Sequence, residues 1–134
     1  MLFIDLDDFK QIVDTHGHLN GSLAIQEVAT TIRECLKKPA YAVSYAGDEF
    51  VVVLPGVDNA GANRIASQIR LRISKTGYLS SQGIQAKLTA SFGIATFPDH
   101  ASDLTDLLAS ADKALFQAKG SGKDTVKKAK KTDL

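Results

Sequence analysis

Apolar positions along the chain alternate between two spacings. Met1 to Asp5 opens as an unbroken apolar run closed by an acid, the pattern of a buried strand. Asp7 or Asp8 is placed to cap a short helical stretch through Ile12 and Val13. His16-Gly17-His18-Leu19-Asn20-Gly21 reads as a loop. From Ser22, Ile25, Val28, Ala29, Ile32 and Leu36 recur at helical spacing until Lys37-Lys38-Pro39 ends the pattern. Tyr41 to Tyr45 and Phe50 to Leu54 are strand-like runs on either side of Ala46-Gly47-Asp48-Glu49. Gly47 can take a positive φ there, so a tight β-hairpin is predicted. Asp58 caps a helix with Ala62, Ile65, Ala66, Ile69 and Ile73 on one face. Thr76 to Gly83 reads as a polar connection and Ile84 to Phe97 as a long strand. After a turn at Pro98-Asp99-His100, Ser102 or Asp103 caps a third helix. Its inward positions are Leu104, Leu107, Leu108, Ala111, Leu115 and Ala118, and Gly120-Ser121-Gly122 stops it. Thr125-Val126 is placed to add a short edge strand. Hairpin-joined strands interleaved with helices predict an α+β domain, with an antiparallel or mixed sheet and helices packed on it.

A length of 134 residues suits one domain, and 44% hydrophobic content with 23% charged is ordinary for a globular chain. The single cysteine, Cys35, excludes a disulfide framework and a cysteine-based zinc site. No apolar run approaches the ~20 residues of a membrane span. The first residues do not form a secretory signal, so a cytoplasmic setting is expected. A central strand with nothing before it predicts a piece of a longer protein. The net charge of +1 is unevenly spread, because Lys119, Lys123, Lys127, Lys128, Lys130 and Lys131 crowd the end of the chain. No aromatic residue follows Phe116, so this end reads as a solvated tail rather than a nucleic-acid contact.

Three acids stand where neither a core nor a turn requires them. Asp5 ends the first strand, and Asp48 and Glu49 occupy the hairpin tip. If the two strands are neighbours, these carboxylates converge. One or two carboxylates together with phosphate oxygens suit Mg²⁺. A polar turn at Asp48-Glu49 and a helix-capping Asp5 are the plainer alternatives. Lys10, Lys119 and Lys123 add positive charge of the kind a triphosphate needs as a phosphoryl bond breaks. A basic residue at the end of a helix, as Lys119 is, also stabilises the helix dipole. There is no Walker-type glycine loop, which excludes a P-loop NTPase.

Phe3-Ile4-Asp5-Leu6-Asp7, Phe9-Lys10, Gly17-His18, Ala46-Gly47-Asp48-Glu49-Phe50, Thr89-Ala90-Ser91-Phe92-Gly93 and the stretch from Ala111 to Lys119 resemble, in order, the GGDEF family of diguanylate cyclases. The resemblance covers residues 1–126 and leaves 127–134 as a basic tail. It implies a palm-like nucleotidyl-cyclase fold with a mainly antiparallel sheet, and the condensation of two GTP to cyclic di-GMP by a homodimer. It also implies an attached sensor or effector domain. The family pattern usually begins one helix earlier than this chain does. By resemblance Asp5, Asp48 and the Leu6 carbonyl hold Mg²⁺, and Asp48 or Glu49 activates the 3′-hydroxyl. Phe9, Lys10, Lys119 and Lys123 contact phosphate, and His18 lies in the nucleotide-binding loop. Lys123 stands where the family usually has Arg, so a point charge replaces a bidentate fork.

Several departures accompany these matches. The first glycine of the signature is Ala46, and the preceding Arg is Ser44. The Asn and Asp that read the guanine edge in the family are Val13 and Ser22. The Arg-x-x-Asp product-inhibition site is Lys37-Lys38-Pro39-Ala40. Two readings follow: a cyclase with altered recognition of its purine triphosphate, or a degenerate domain that binds nucleotide and regulates an attached partner.

Overall fold

A computed structural model describes residues 1–130. Its elements are β1 (Leu2–Leu6), α1 (Phe9–His16), α2 (His18–Glu34), β2 (Tyr41–Ala46), β3 (Glu49–Val53), α3 (Asn59–Lys75), β4 (Ala90–Ile94), α4 (Leu104–Gly120) and β5 (Val126–Lys128). The strands form one sheet in the order β2-β3-β1-β4-β5, antiparallel except for the β4–β5 pair. The fold is therefore the expected α+β arrangement, a mainly antiparallel sheet flanked by helices. β1 lies at its centre, between β3 and β4.

Alternation along β1 divides the core. Leu2, Ile4 and Leu6 pack with Ala24, Val28 and Ile32 of α2 and with Ala62, Ala66, Ile69 and Ile73 of α3. Phe3 points the other way, into a smaller cluster with Val51 and with Ala111 and Leu115 of α4. Asp5 shares the Phe3 face by the same alternation, so β1 delivers its acid on the α4 side of the sheet. Gly93 makes the approach of α4 possible. A Cβ there would lie 2.0 Å from the Ala111 carbonyl oxygen and 2.4 Å from the Leu115 nitrogen.

Capping follows the sequence at two helices. Asp58 accepts from Gly61 N–H at 2.7 Å, and Asp103 accepts from Asp106 N–H at 2.8 Å. Five expectations are corrected. Asp8 sits at the N-cap of α1 with a left-handed φ of 53° but makes no capping bond. The expected loop from His16 to Gly21 shrinks to Gly17, whose φ of 87° breaks the chain between α1 and α2 in one residue. The long strand from Ile84 is laddered only over Ala90–Ile94, and the connection before it is not polar throughout. Tyr78 and Leu79 are fully buried, with the Leu79 N–H donating to the Glu27 carboxylate. Leu104, expected to face inward, is 70% exposed. The edge strand expected near Val126 is present as β5 and includes Lys127 and Lys128; Lys131 to Leu134 lie outside the described residues.

Candidate active site

The site lies at one end of the sheet, where β1 leaves and β3 enters. Register alone sets Asp5 opposite Glu49 on β3 and opposite Ser91 on β4. The hairpin tip folds over this end because Gly47 takes a φ of 53°, and the Leu6 N–H donates to the Asp48 carbonyl at 3.2 Å. Asp5, Asp48 and Glu49 thus meet as the sequence predicts. Burial raises the Asp5 carboxyl to about 7. Lys119 opposes that shift, while the charges of Asp48 and Glu49 and a hydrogen bond with the Asp48 carboxyl add to it. Glu49 is raised for related reasons: burial first, then the charges of Asp48 and Asp112.

Lys119 enters the same space from the last turn of α4. Its ammonium donates to the Asp7 carboxylate at 2.7 Å, to the Leu6 carbonyl at 3.1 Å and to the Asp5 carbonyl at 3.2 Å, and it lies 3.8 Å from the Asp5 carboxylate. Lys123 is held by Asp8 at 2.6 Å, on the rim of the same end. Lys10 is exposed on the first turn of α1.

The other expected nucleotide contacts gather where α1 meets α2. Phe9 and Val13 press on Gly21, where an added Cβ would stand 2.9 Å from Val13 Cγ2 and 3.4 Å from Phe9 Cζ. His18 and Ser22 are exposed one turn apart on α2 and share a face.

Sequence reasoning offered Asp7 only as an alternative helix cap and gave it no role at the site. Its carboxylate is buried and accepts from Thr89 Oγ1 at 2.7 Å, Ser91 Oγ at 2.6 Å, Lys119 Nζ at 2.7 Å and Asp124 N–H at 2.9 Å. Burial pushes this acid up, but the hydrogen bonds from Lys119, Ser91, Thr89 and the Asp124 N–H outweigh it and hold it below the usual carboxylate range. The available signal was the i, i+2 spacing of Thr89 and Ser91, which sets two hydroxyls on one face of the strand beside β1.

No group of three or more His, Cys, Asp or Glu side chains forms a metal site among the described residues. Asp5 and Asp48 supply two carboxylates and Leu6 a carbonyl. Such hard-oxygen donors fit Mg²⁺, which completes its shell with phosphate oxygens and water.

Sheet order and the acid–lysine end together define an α+β domain with a mainly antiparallel sheet and an acidic cluster bridged by a lysine at one end. The family model described as "Diguanylate cyclase, GGDEF domain" matches residues 1–125, and the chain belongs to that family. Similar proteins include Diguanylate cyclase A of Treponema denticola, 32% identical over 126 residues that make up 94% of this chain and 34% of that protein. Diguanylate cyclase DosC of Escherichia coli is 36% identical over 126 residues, 94% of this chain and 27% of that protein. The crystal structure of the GGDEF domain of YfiN (TpbB) from Pseudomonas aeruginosa superposes with a TM-score of 0.91 at 33% identity, covering 98% of this chain and 81% of that one. The chain spans about a third or less of the length of these two curated relatives.

Proposed function

We propose that the domain is a Mg²⁺-dependent nucleotidyl cyclase that joins two purine nucleoside triphosphates, GTP by family, into a cyclic dinucleotide for second-messenger signalling. The observation that carries this reading is the meeting of Asp5, Asp48, Glu49 and Lys119 at one end of the sheet. Asp5, Asp48 and the Leu6 carbonyl would hold the metal, which supplies charge neutralisation at the phosphates. Lys10 and Lys123 meet the outer phosphate oxygens from the rim, beside Phe9. Asp48 or Glu49 takes the proton of the attacking 3′-hydroxyl. Burial and its acidic neighbours raise the Glu49 carboxyl toward that task. Val13, His18 and Ser22 line the base end. Each domain presents one such end, so the reaction brings two copies face to face within a longer protein that carries a sensor or effector domain.

The test is incubation with GTP, ATP or both in the presence of Mg²⁺, with products resolved by mass spectrometry. A cyclic dinucleotide, absent with Asp48→Asn and with Glu49→Gln, is the expected result. Mg²⁺-dependent binding of nucleotide without any product would select the second reading, a regulatory nucleotide-binding module. That reading is favoured by Ser44, which is exposed at the irregular step of β2 where the family has Arg, and by Val13 and Ser22 at the base end.

A further inference from the structure

We propose that Asp7 is a positioning residue of this site, setting two of the basic groups at its phosphate end: Lys119 directly, and Lys123 through the turn that carries it. The inference rests on the functional reading above. Asp7 has only 2% of its side chain exposed. Its four hydrogen bonds come from β4 and the residue just before it, from α4 and from the turn before β5. A carboxylate offers about four acceptor positions, so Asp7 is saturated and is not itself a metal ligand.

Its first effect is on Lys119. An ammonium has three protons, and those of Lys119 go to Asp7 Oδ1, the Asp5 carbonyl and the Leu6 carbonyl. A flexible four-carbon side chain is thereby fixed over the backbone of the residues that would hold the metal. Its second effect is on the turn. Gly122, Lys123 and Asp124 run consecutively at positive φ, 105°, 65° and 45°. Two of the three are not glycine, and a left-handed backbone persists at such residues only where the surroundings over-determine it. Here the Asp124 N–H is held by Asp7 Oδ2 at 2.9 Å, and the Asp124 carboxylate is held by Arg70 at 3.0 Å. Lys123 projects from this turn back to Asp8, the residue after Asp7.

The experiment measures dissociation constants for GTP and for GMP, each with Mg²⁺, in the wild-type chain, Asp7→Asn, Lys119→Gln and the double variant. The ¹⁵N signal of the Lys119 ammonium is followed alongside. Asp7→Asn keeps the volume but turns one acceptor into a donor that faces donors. The expected result is at least a tenfold loss of GTP affinity with GMP affinity changed less than twofold, since GMP lacks the outer phosphates. The double variant is expected within twofold of Asp7→Asn alone, and the sharp ammonium signal of the wild type is expected to broaden. Equal losses for GTP and GMP, or losses that multiply in the double variant, would overturn the proposal and leave Asp7 a purely structural acid. Should Asp7→Asn fail to fold, Ser91→Ala loosens the same Oδ1; a two- to fivefold loss for GTP alone supports the proposal, and parallel losses overturn it. A folded wild type with the sharp ammonium signal but no Mg²⁺-dependent GTP binding overturns the functional reading, and the positioning role falls with it.

Discussion

Asp5 and Asp7 stand two residues apart, and their neighbours drive them in opposite directions. Burial holds the Asp5 proton up to about 7, so between the ordinary Asp value and that point the unfolded chain has released a proton that the folded chain keeps. Stability therefore falls as pH rises across that window, and the charged Asp5 opposes folding above it. Asp7, held low, contributes stability at neutral pH that is lost as pH falls through its depressed folded value. Asp5→Asn should accordingly stabilise the metal-free domain at pH 8 by about 1–2 kcal/mol, a discounted figure because the group is partly exposed, and should gain nothing at pH 4. Thermal unfolding in a chelator at both pH values checks this; a wild type that is the more stable at pH 8 would sink it. Val13 and Ser22, proposed to line the base end, carry a second expectation. Val13 offers no hydrogen bond, and Ser22 both donates and accepts, so neither demands the guanine pattern. GTP should be preferred over ATP by tenfold or less, and Val13→Asn with Ser22→Asp should widen the gap. A hundredfold preference in the unmodified chain, read by competitive titration, would show that other residues read the base. Asp5, Asp48 and Glu49 were legible because acids at a strand end and a hairpin tip need a reason. Asp7 was not, because its hydroxyl donors lie more than 80 residues away, and the Thr89–Ser91 spacing alone does not say which acid they face.

At the scale of elements, the legible parts are those whose signals are local. α3 and α4 begin at aspartate caps and keep a helical apolar spacing, and the β2–β3 hairpin turns at Gly47. The first turn of α2 was illegible because His18-Leu19-Asn20-Gly21 has glycine at the position that a helix tolerates poorly. Gly21 is there for contact with Val13 and Phe9 of α1, a tertiary reason. The stretch from Ile84 to Leu88 carries a strand-like pattern but joins no ladder. Its apolar residues show burial, but Ala86 pairs only in an isolated bridge to Tyr78. The packing of α4 on β4 gives this scale its prediction. Gly93→Ala would press a methyl group into the backbone of α4, which cannot yield as a side chain tip could. A loss of about 3 kcal/mol is expected by denaturant titration, at the upper end of overpacking effects. Gly120→Ala, with open space around the new methyl group and no positive φ, serves as the control and should be neutral or stabilising by up to about 1 kcal/mol. Equal effects of the two changes would mean that α4 does not rest on Gly93.

For the molecule as a whole, the element order was enough to predict an α+β sheet, but not which strands are neighbours. That order sets the site, because only a central β1 between β3 and β4 brings Asp5 to both Glu49 and Ser91. The same geometry limits what one copy can do. A single chain presents one acid–lysine end, and joining two nucleoside triphosphates into a ring under the proposed reaction needs two such ends facing each other. The rate should then depend on encounter between copies rather than on the chemistry within one. Fusing a parallel leucine zipper to the N-terminus through a short flexible linker turns that encounter into an intramolecular event at an effective concentration in the millimolar range. At about 1 μM protein, specific activity of the fusion is expected to exceed that of the chain alone by tenfold or more. The advantage should shrink as the concentration of the unfused chain is raised, because mass action then supplies what the zipper supplied. Turnover per chain, measured for both across a hundredfold range of concentration, decides the point. Equal and concentration-independent turnover would show that one copy suffices. No product from either form, with Mg²⁺-dependent nucleotide binding intact in both, would move the domain to the regulatory reading.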